Sequence, residues 1–150
     1  MHIVTTVRAF IPLKGKILVV QNDARPDYFV LPGGRIEPGE RIADAMRREL
    51  IEETGVKPEL GGLLAVHEFA SVKKDVHRIE FFFGVRNGED YKKIDLNRAS
   101  HGYEILESRF IDPDDATITI LPEIARNIAR EILVIGIDQF PIRIVTSSAN

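Results

Sequence analysis

Three glutamates, Glu49, Glu52 and Glu53, crowd into the run Arg48-Glu49-Leu50-Ile51-Glu52-Glu53-Thr54-Gly55-Val56. On a helix turning about 100° per residue, taking Glu49 as zero puts Glu53 at about 40° and Glu52 at about 300°, so the carboxylates share one narrow face. Met46 and Leu50 follow at about 60° and 100°, which sets the acidic face against the buried one and aims it into a cleft. Like charges at these spacings cost about 0.2–0.5 kcal/mol per pair, and the helix C-terminus disfavours anions further. Arg48 can offset part of this through Glu52, four residues on, and it also reaches back toward Asp44. A divalent cation would remove the conflict, because hard ions such as Mg2+ and Mn2+ take oxygen ligands and bridge carboxylates to phosphates. The plainer alternative is a solvated acidic face.

The elements that must hold this face are legible as patterns. Ile42, Ala43, Met46 and Leu50 recur at helical spacing over Glu40 to Thr54, and Gly55 stands where a left-handed terminator belongs. Ahead of the helix, Tyr28 to Leu31 is a short apolar stretch running into Pro32-Gly33-Gly34, where two glycines permit a sharp turn or a close approach to a ligand. His2 to Ile11 and Lys16 to Gln21 read as a hairpin joined at Lys14-Gly15. Extended segments follow at about Gly61 to Val72 and Val76 to Arg86, and Phe81-Phe82-Phe83 implies a strand covered on both faces. Asn87 to Gly102 reads as loop and Glu104 to Ile111 as a strand. A second amphipathic helix is traced by Leu121, Ile124, Ala125, Ile128, Ala129 and Ile132, with Pro122 near its first turn. Asp138 to Asn150 could be an edge strand, a dimer contact or a loosely tied tail.

Composition narrows the function. With 150 residues, 44% of them hydrophobic, the chain suits a single domain with a substantial core. A net charge of -3 argues against nucleic acid or an anionic membrane as main partner and favours a small molecule. There is no cysteine, so thiol nucleophiles, disulfides and zinc-thiolate sites are excluded, and a reducing cytoplasm fits. The N-terminus lacks the features of a signal peptide, and no apolar run is long enough to span a bilayer. His2, His67, His77 and His101 show no zinc-site spacing.

Gly34, Glu40, Arg48, Glu49, Leu50, Glu52, Glu53, Gly55 and Val56 fill every defined position of the Nudix box, and the chain resembles the Nudix (MutT-like) hydrolases. Tyr28 to Gly34 resembles the strand entering the box, and Phe110-Ile111-Asp112 with the second helix resembles the closing elements. Residues 3 to about 135 can be laid on that fold, leaving 136–150 as a C-terminal tail. The resemblance implies an α/β (α+β) class with a mixed β-sheet sandwiched between α-helices, and one domain over 1–150.

It also implies an activity: Mg2+- or Mn2+-dependent hydrolysis of a nucleoside diphosphate linked to another moiety. By similarity, Glu49, Glu52, Glu53 and the Gly34 carbonyl hold the metal. The general base is either a box glutamate or one of Glu80, Glu104 and Glu107. Glu80 leads because strand alternation sets it opposite His77, Ile79, Phe81 and Phe83, although a glutamate at a strand edge paired with Arg78 or a lysine reads equally well. Arg8, Arg25 and Arg35 are candidates for substrate phosphates, Arg48 and Glu40 are structural, Gly55 ends the helix, and His101 is at most a loop contact. Pro58, the only proline between Gly55 and Asp90, lies too near the box to favour ADP-ribose. The same interval lacks tyrosine, against dinucleoside polyphosphates, which leaves nucleoside triphosphates and nucleotide sugars. The rival reading is a nucleotide-binding regulatory module without strong catalysis. An RNA-decapping role would need more basic surface than Lys73-Lys74 and Lys92-Lys93 provide, and the tail leaves a homodimer open.

Overall fold

Phe81, Phe82 and Phe83 point alternately to opposite sides of one strand, and Phe82 and Phe83 are buried in two different apolar cores. The rest of the chain is layered around that strand. A computed structural model describes residues 1–149, the side chains of Tyr103 and Leu106 excepted. In order, the chain forms β1 (His2–Phe10), β2 (Pro12–Leu13), β3 (Lys16–Asn22), β4 (Gly33–Arg35), α1 (Ile42–Thr54), β5 (Leu60–Ser71), β6 (Val76–Val85), β7 (Ile105–Ile111), α2 (Ile124–Ile135) and β8 (Arg143–Ser148).

A five-stranded sheet runs β4-β1-β6-β5-β8, and a three-stranded sheet runs β2-β3-β7. The larger sheet is mixed: β1 lies parallel to β6, and β5 is antiparallel to β6 but parallel to β8. Val7, Ala9, Phe83 and Val85 feed the core under Ala45, Met46 and Leu50 of α1. Phe10 and Phe82 feed the other core, with Ala125, Ile128, Ala129 and Ile132 of α2. The expected sandwich of a mixed sheet between helices is what forms. No helix among the described residues is long and apolar enough to cross a membrane.

The structure departs from the sequence reading in two places and settles a third that it left open. The hairpin across Lys14-Gly15 is only two pairs deep, Pro12 with Ile17 and Leu13 with Lys16. β1 leaves it for the larger sheet, because Phe10 on one face and Val7 and Ala9 on the other need cover that an isolated hairpin cannot supply. Tyr28 to Leu31 makes only isolated bridges, Val20 to Val30 and Phe29 to Ile120. The tail becomes an edge strand, β8 opposite Ala65 to Ala70 of β5, with Phe140 buried and Ile142 and Ile144 exposed; Asn150 lies outside the described residues.

Gly33 and Gly34 let β4 lie against β1, with Gly34 opposite Val7 and Gly33 opposite Arg8. Gly33 has φ of +148°, and a side chain there would overlap the Val7 carbonyl oxygen. Gly33→Ala should therefore lose about 1–3 kcal/mol from backbone strain alone, with more from the overlap, read as a lower urea midpoint at unchanged m-value.

Candidate functional site

Helix α1 starts at Ile42 and ends on Gly55, which adopts φ of 72° and donates its N–H to the Ile51 carbonyl. Its acidic face is held from within by Arg48. The guanidinium donates to Glu40 Oε1 at 2.7 Å, to Glu49 Oε1 at 3.0 Å, to Glu52 Oε2 at 3.1 Å and to the Arg35 carbonyl at 3.0 Å. The expected pairing with Asp44 does not form; Arg47 takes Asp44, because Arg48 points along the acidic face toward the loop. Glu40 precedes the helix instead of sitting in its first turn. It accepts from the Glu37 N–H, and the Arg48 hydrogen bond, aided by that amide, holds its carboxyl below the usual range. The same pairing raises the Arg48 guanidinium above its ordinary value.

Glu53 has a different environment. Its Oε2 accepts the Gly33 N–H at 3.1 Å, which ties helix to β4. Burial pushes its carboxyl up to about 8 against the pull of Arg8, and Glu49 adds to the rise. Burial likewise raises Glu49, and Arg48 partly offsets it. Glu52, at the outer side, pairs with Arg48 and with His101 Nδ1 at 3.1 Å. The loop that carries His101 is clamped to the helix end, since the His101 N–H donates to the Glu52 carbonyl at 2.7 Å.

A cleft of about 440 Å³ lies along this face, lined by Gly34, Glu49 and Glu53, by Glu104 across from them, and by Arg8, Arg25, Arg35 and Arg78. The structure thus brings all three sequence-proposed phosphate arginines to two of the box glutamates, while Glu52 lies outside the lining. A hard divalent ion suits the donors here. Two desolvated carboxylates face one space, and any Cβ on residue 34 would overlap the Glu49 carboxylate, so glycine keeps the approach to that carboxylate clear. As the side chains stand, no three acidic or histidine groups among the described residues are close enough to hold an ion. The reason is visible: Arg48 draws Glu49 and Glu52 toward itself, and the Gly33 amide holds Glu53.

The three base candidates separate. Glu80 is not at a strand edge; it is buried in the middle of the sheet. Thr6 Oγ1 donates to it at 3.2 Å, His67 Nδ1 lies 3.2 Å away, and Arg8 Nε lies at 3.7 Å. Burial alone would raise its carboxyl, but the His67 hydrogen bond and the Arg8 charge outweigh burial and lower it. A carboxylate can only accept, so His67 donates from Nδ1, and its Nε2 meets Ser147 Oγ at 2.8 Å. Glu107 pairs with Arg109 on β7. Glu104 alone of the three lines the cleft with Glu49 and Glu53. Sequence reasoning missed Arg78, which lines the cleft from β6, and His67; the even-numbered alternation Arg78, Glu80, Phe82 was the signal for the former.

The NUDIX domain model matches residues 2–133. The chain belongs to the Nudix hydrolase family. Among solved structures, this Nudix protein is similar to a MutT NUDIX hydrolase from Burkholderia pseudomallei, with a TM-score of 0.70 and 22% identity over 87% of this chain and 98% of that one, a likeness of fold. Among curated proteins it is 43% identical over 53 residues to diphosphoinositol polyphosphate phosphohydrolase 2 of Rattus norvegicus, covering 35% of this chain and 30% of the relative. It is also 42% identical over 67 residues to diphosphoinositol polyphosphate phosphohydrolase 3-alpha of Mus musculus, covering 45% and 40%. The matches therefore span under half the length of these curated relatives.

The Glu53 environment has a stability consequence. Between the unfolded value near 4.5 and the folded value of about 8, the unfolded chain has lost this proton while the folded chain keeps it, so the Glu53 contribution to stability falls as pH rises through that window. In metal-free protein, Glu53→Gln should be the more stable form at pH 8 by roughly 1–3 kcal/mol, below the limit of about 1.4 kcal/mol per pH unit because the cleft is open to water. The difference should vanish near pH 4. Thermal melts of both proteins across that range, with chelator present, check this.

Proposed function

We propose that this Nudix hydrolase cleaves the diphosphate of a nucleoside diphosphate linked to a second group, with Mg2+ or Mn2+ as cofactor. The observation that carries the reading is one cleft in which Glu49, Glu53 and Gly34 of the box face Arg8, Arg25 and Arg35. Glu49, Glu52, Glu53 and the Gly34 carbonyl would hold the ion once Glu49 and Glu52 turn part of their carboxylates away from Arg48. When bound, Mg2+ or Mn2+ supplies the positive charge that a diphosphate needs as water attacks and negative charge builds.

The chain's own residues do the rest. Arg8, Arg25 and Arg35 orient the phosphate oxygens. Glu104, across the cleft, takes a proton from the attacking water on a carboxylate oxygen. The new P–O bond forms at one phosphorus as its bond to the bridging oxygen breaks, releasing a nucleoside monophosphate and the phosphorylated second group. Glu80 serves the site indirectly: held by Thr6 and His67, it positions the Arg8 guanidinium. Arg48 keeps the acidic face together when no metal is present. The relatives named for diphosphoinositol polyphosphates extend the substrate panel beyond nucleotides. We take the 150 residues to act as one domain, and β8, which exposes Ile144 and follows the exposed Ile142, as the place where a second copy would add.

The test is a panel of nucleoside triphosphates, nucleotide sugars, ADP-ribose, dinucleoside polyphosphates and diphosphoinositol polyphosphate, each with Mg2+, Mn2+ or chelator. One class should be cleaved in the presence of metal only. Glu53→Gln should lower kcat by about 10²-fold or more, and Glu104→Gln by ~10²–10⁴-fold with little change in KM. If no compound is cleaved but a nucleotide still raises the melting temperature, the regulatory-module reading replaces this one.

A further inference from the structure

Arg8 stands on the wall between two cavities. The acidic cleft and a neighbouring space of about 510 Å³ share Arg8, Arg25, Val30 and Arg78 among their lining residues. Among the described residues the Arg8 guanidinium makes one hydrogen bond, from Nη1 to the Leu31 carbonyl at 3.1 Å. Its Nε lies 3.7 Å from Glu80 Oε2, too long for a hydrogen bond. An arginine beside a buried carboxylate ordinarily closes on it through paired N–H bonds. Here the ion pair stays open.

The carboxylate is occupied from elsewhere. Thr6 Oγ1 donates to Glu80 Oε2 and His67 Nδ1 to Oε1, each at 3.2 Å. Burial would raise the Glu80 carboxyl, and the His67 hydrogen bond does more than the Arg8 charge to bring it down. His67 can do this only while its ring keeps Nδ1 toward Glu80, because the flipped ring would offer a carbon there. Ser147 supplies that constraint. Residues 67 and 69 of β5 run beside 145 and 147 of β8 in parallel register, so Ser147 shares the face of His67, and its Oγ meets Nε2 at 2.8 Å. With the proton of a neutral ring on Nδ1, Nε2 is an acceptor and the hydroxyl donates to it. A ring bonded at both ends cannot turn without losing both bonds. β8 lies beyond residue 133, where the family match ends, so the constraint comes from outside the matched part of the fold.

We infer that Ser147 and His67 are positioning residues for substrate binding: by keeping Glu80 occupied, they prevent it from capturing Arg8 and leave the guanidinium free for a phosphate oxygen. The inference rests on the reading of Arg8 as a phosphate ligand of the hydrolase. Without the His67 donor, Glu80 would stay buried with the Thr6 hydroxyl as its hydrogen-bond donor, and closing the gap to Arg8 would be the nearest way to satisfy it. The N–H groups so consumed are those that a phosphate needs.

The experiment measures kcat and KM separately on the compound of the substrate panel that is cleaved. Ser147→Ala, at an exposed position on the edge strand, should raise KM about threefold and His67→Phe about tenfold, with kcat little changed. His67→Asn, which keeps an N–H donor near the place of Nδ1, should recover much of the loss. The decisive protein combines His67→Phe with Glu80→Gln. A neutral amide has less hold on Arg8, so KM should fall back toward the wild-type value, whereas two merely structural lesions would add. Should His67→Phe fail to fold, Ser147→Ala with and without Glu80→Gln makes the same comparison. An unchanged KM in either single variant, or a double variant no better than the single one, overturns the inference. If nothing is cleaved, the hydrolase reading fails on its own. Inorganic pyrophosphate titrated with Mg2+ then judges the positioning role: the same order of Kd values supports it, and equal or absent binding overturns it.

Discussion

Setting Glu49 and Glu53 side by side, half-buried, near the negative end of a helix is the condition around which the rest of the site is arranged. Burial raises both carboxyls, and Glu53 reaches about 8. Such an arrangement persists only if positive charge or hydrogen-bond donors are supplied from elsewhere. The chain supplies them from three directions. Arg48 bridges Glu40, Glu49 and Glu52 from within the motif, the Gly33 amide reaches Glu53 from β4, and Arg8 acts on it from β1. Each of these is a local answer to a cost that a divalent cation would answer more completely.

The same constraint explains why the glycines precede the helix. Gly33 must pass close under β1 to present its N–H to Glu53, and Gly34 must leave room for the Glu49 carboxylate. The packing of Met46 and Leu50 into the core then fixes the rotation of α1, so that the acidic face cannot turn out to solvent without exposing the apolar one. Core and site are coupled through a single helix.

A second polar group sits inside the sheet and links the site to the C-terminal strand. Thr6 and Arg8 of β1 and His67 of β5 converge on Glu80, and Ser147 of β8 contacts the other ring nitrogen of His67. Glu80 is fully surrounded, so its charge is tolerable only because these partners saturate it. By engaging Arg8, the cluster places one guanidinium on the wall that two cavities share.

The sequence alone determined the parts that depend on spacing along the chain. The acidic face, the Gly55 stop, the run of strands and two helices, and the family itself were legible because helix and strand periods are local properties. Arg8, Arg25 and Arg35 were named from residue type, and their meeting in one cleft is a fact of the fold. Tertiary structure decided what depended on contacts between distant segments. β1 chose β6 over the adjacent hairpin because it has apolar side chains to cover on both faces, Phe10 on one and Val7 and Ala9 on the other, and β8 found β5 although nothing in residues 143–148 marks that partner. Glu80 lands within the sheet and Glu104 at the cleft, a difference that strand alternation could not show. Arg78 acquired its place on the shared wall only when β1, β5 and β6 aligned Val4, Phe69 and Arg78 side by side. Alternation tells which side of a strand a residue faces, but only the folded sheet shows what faces it in return.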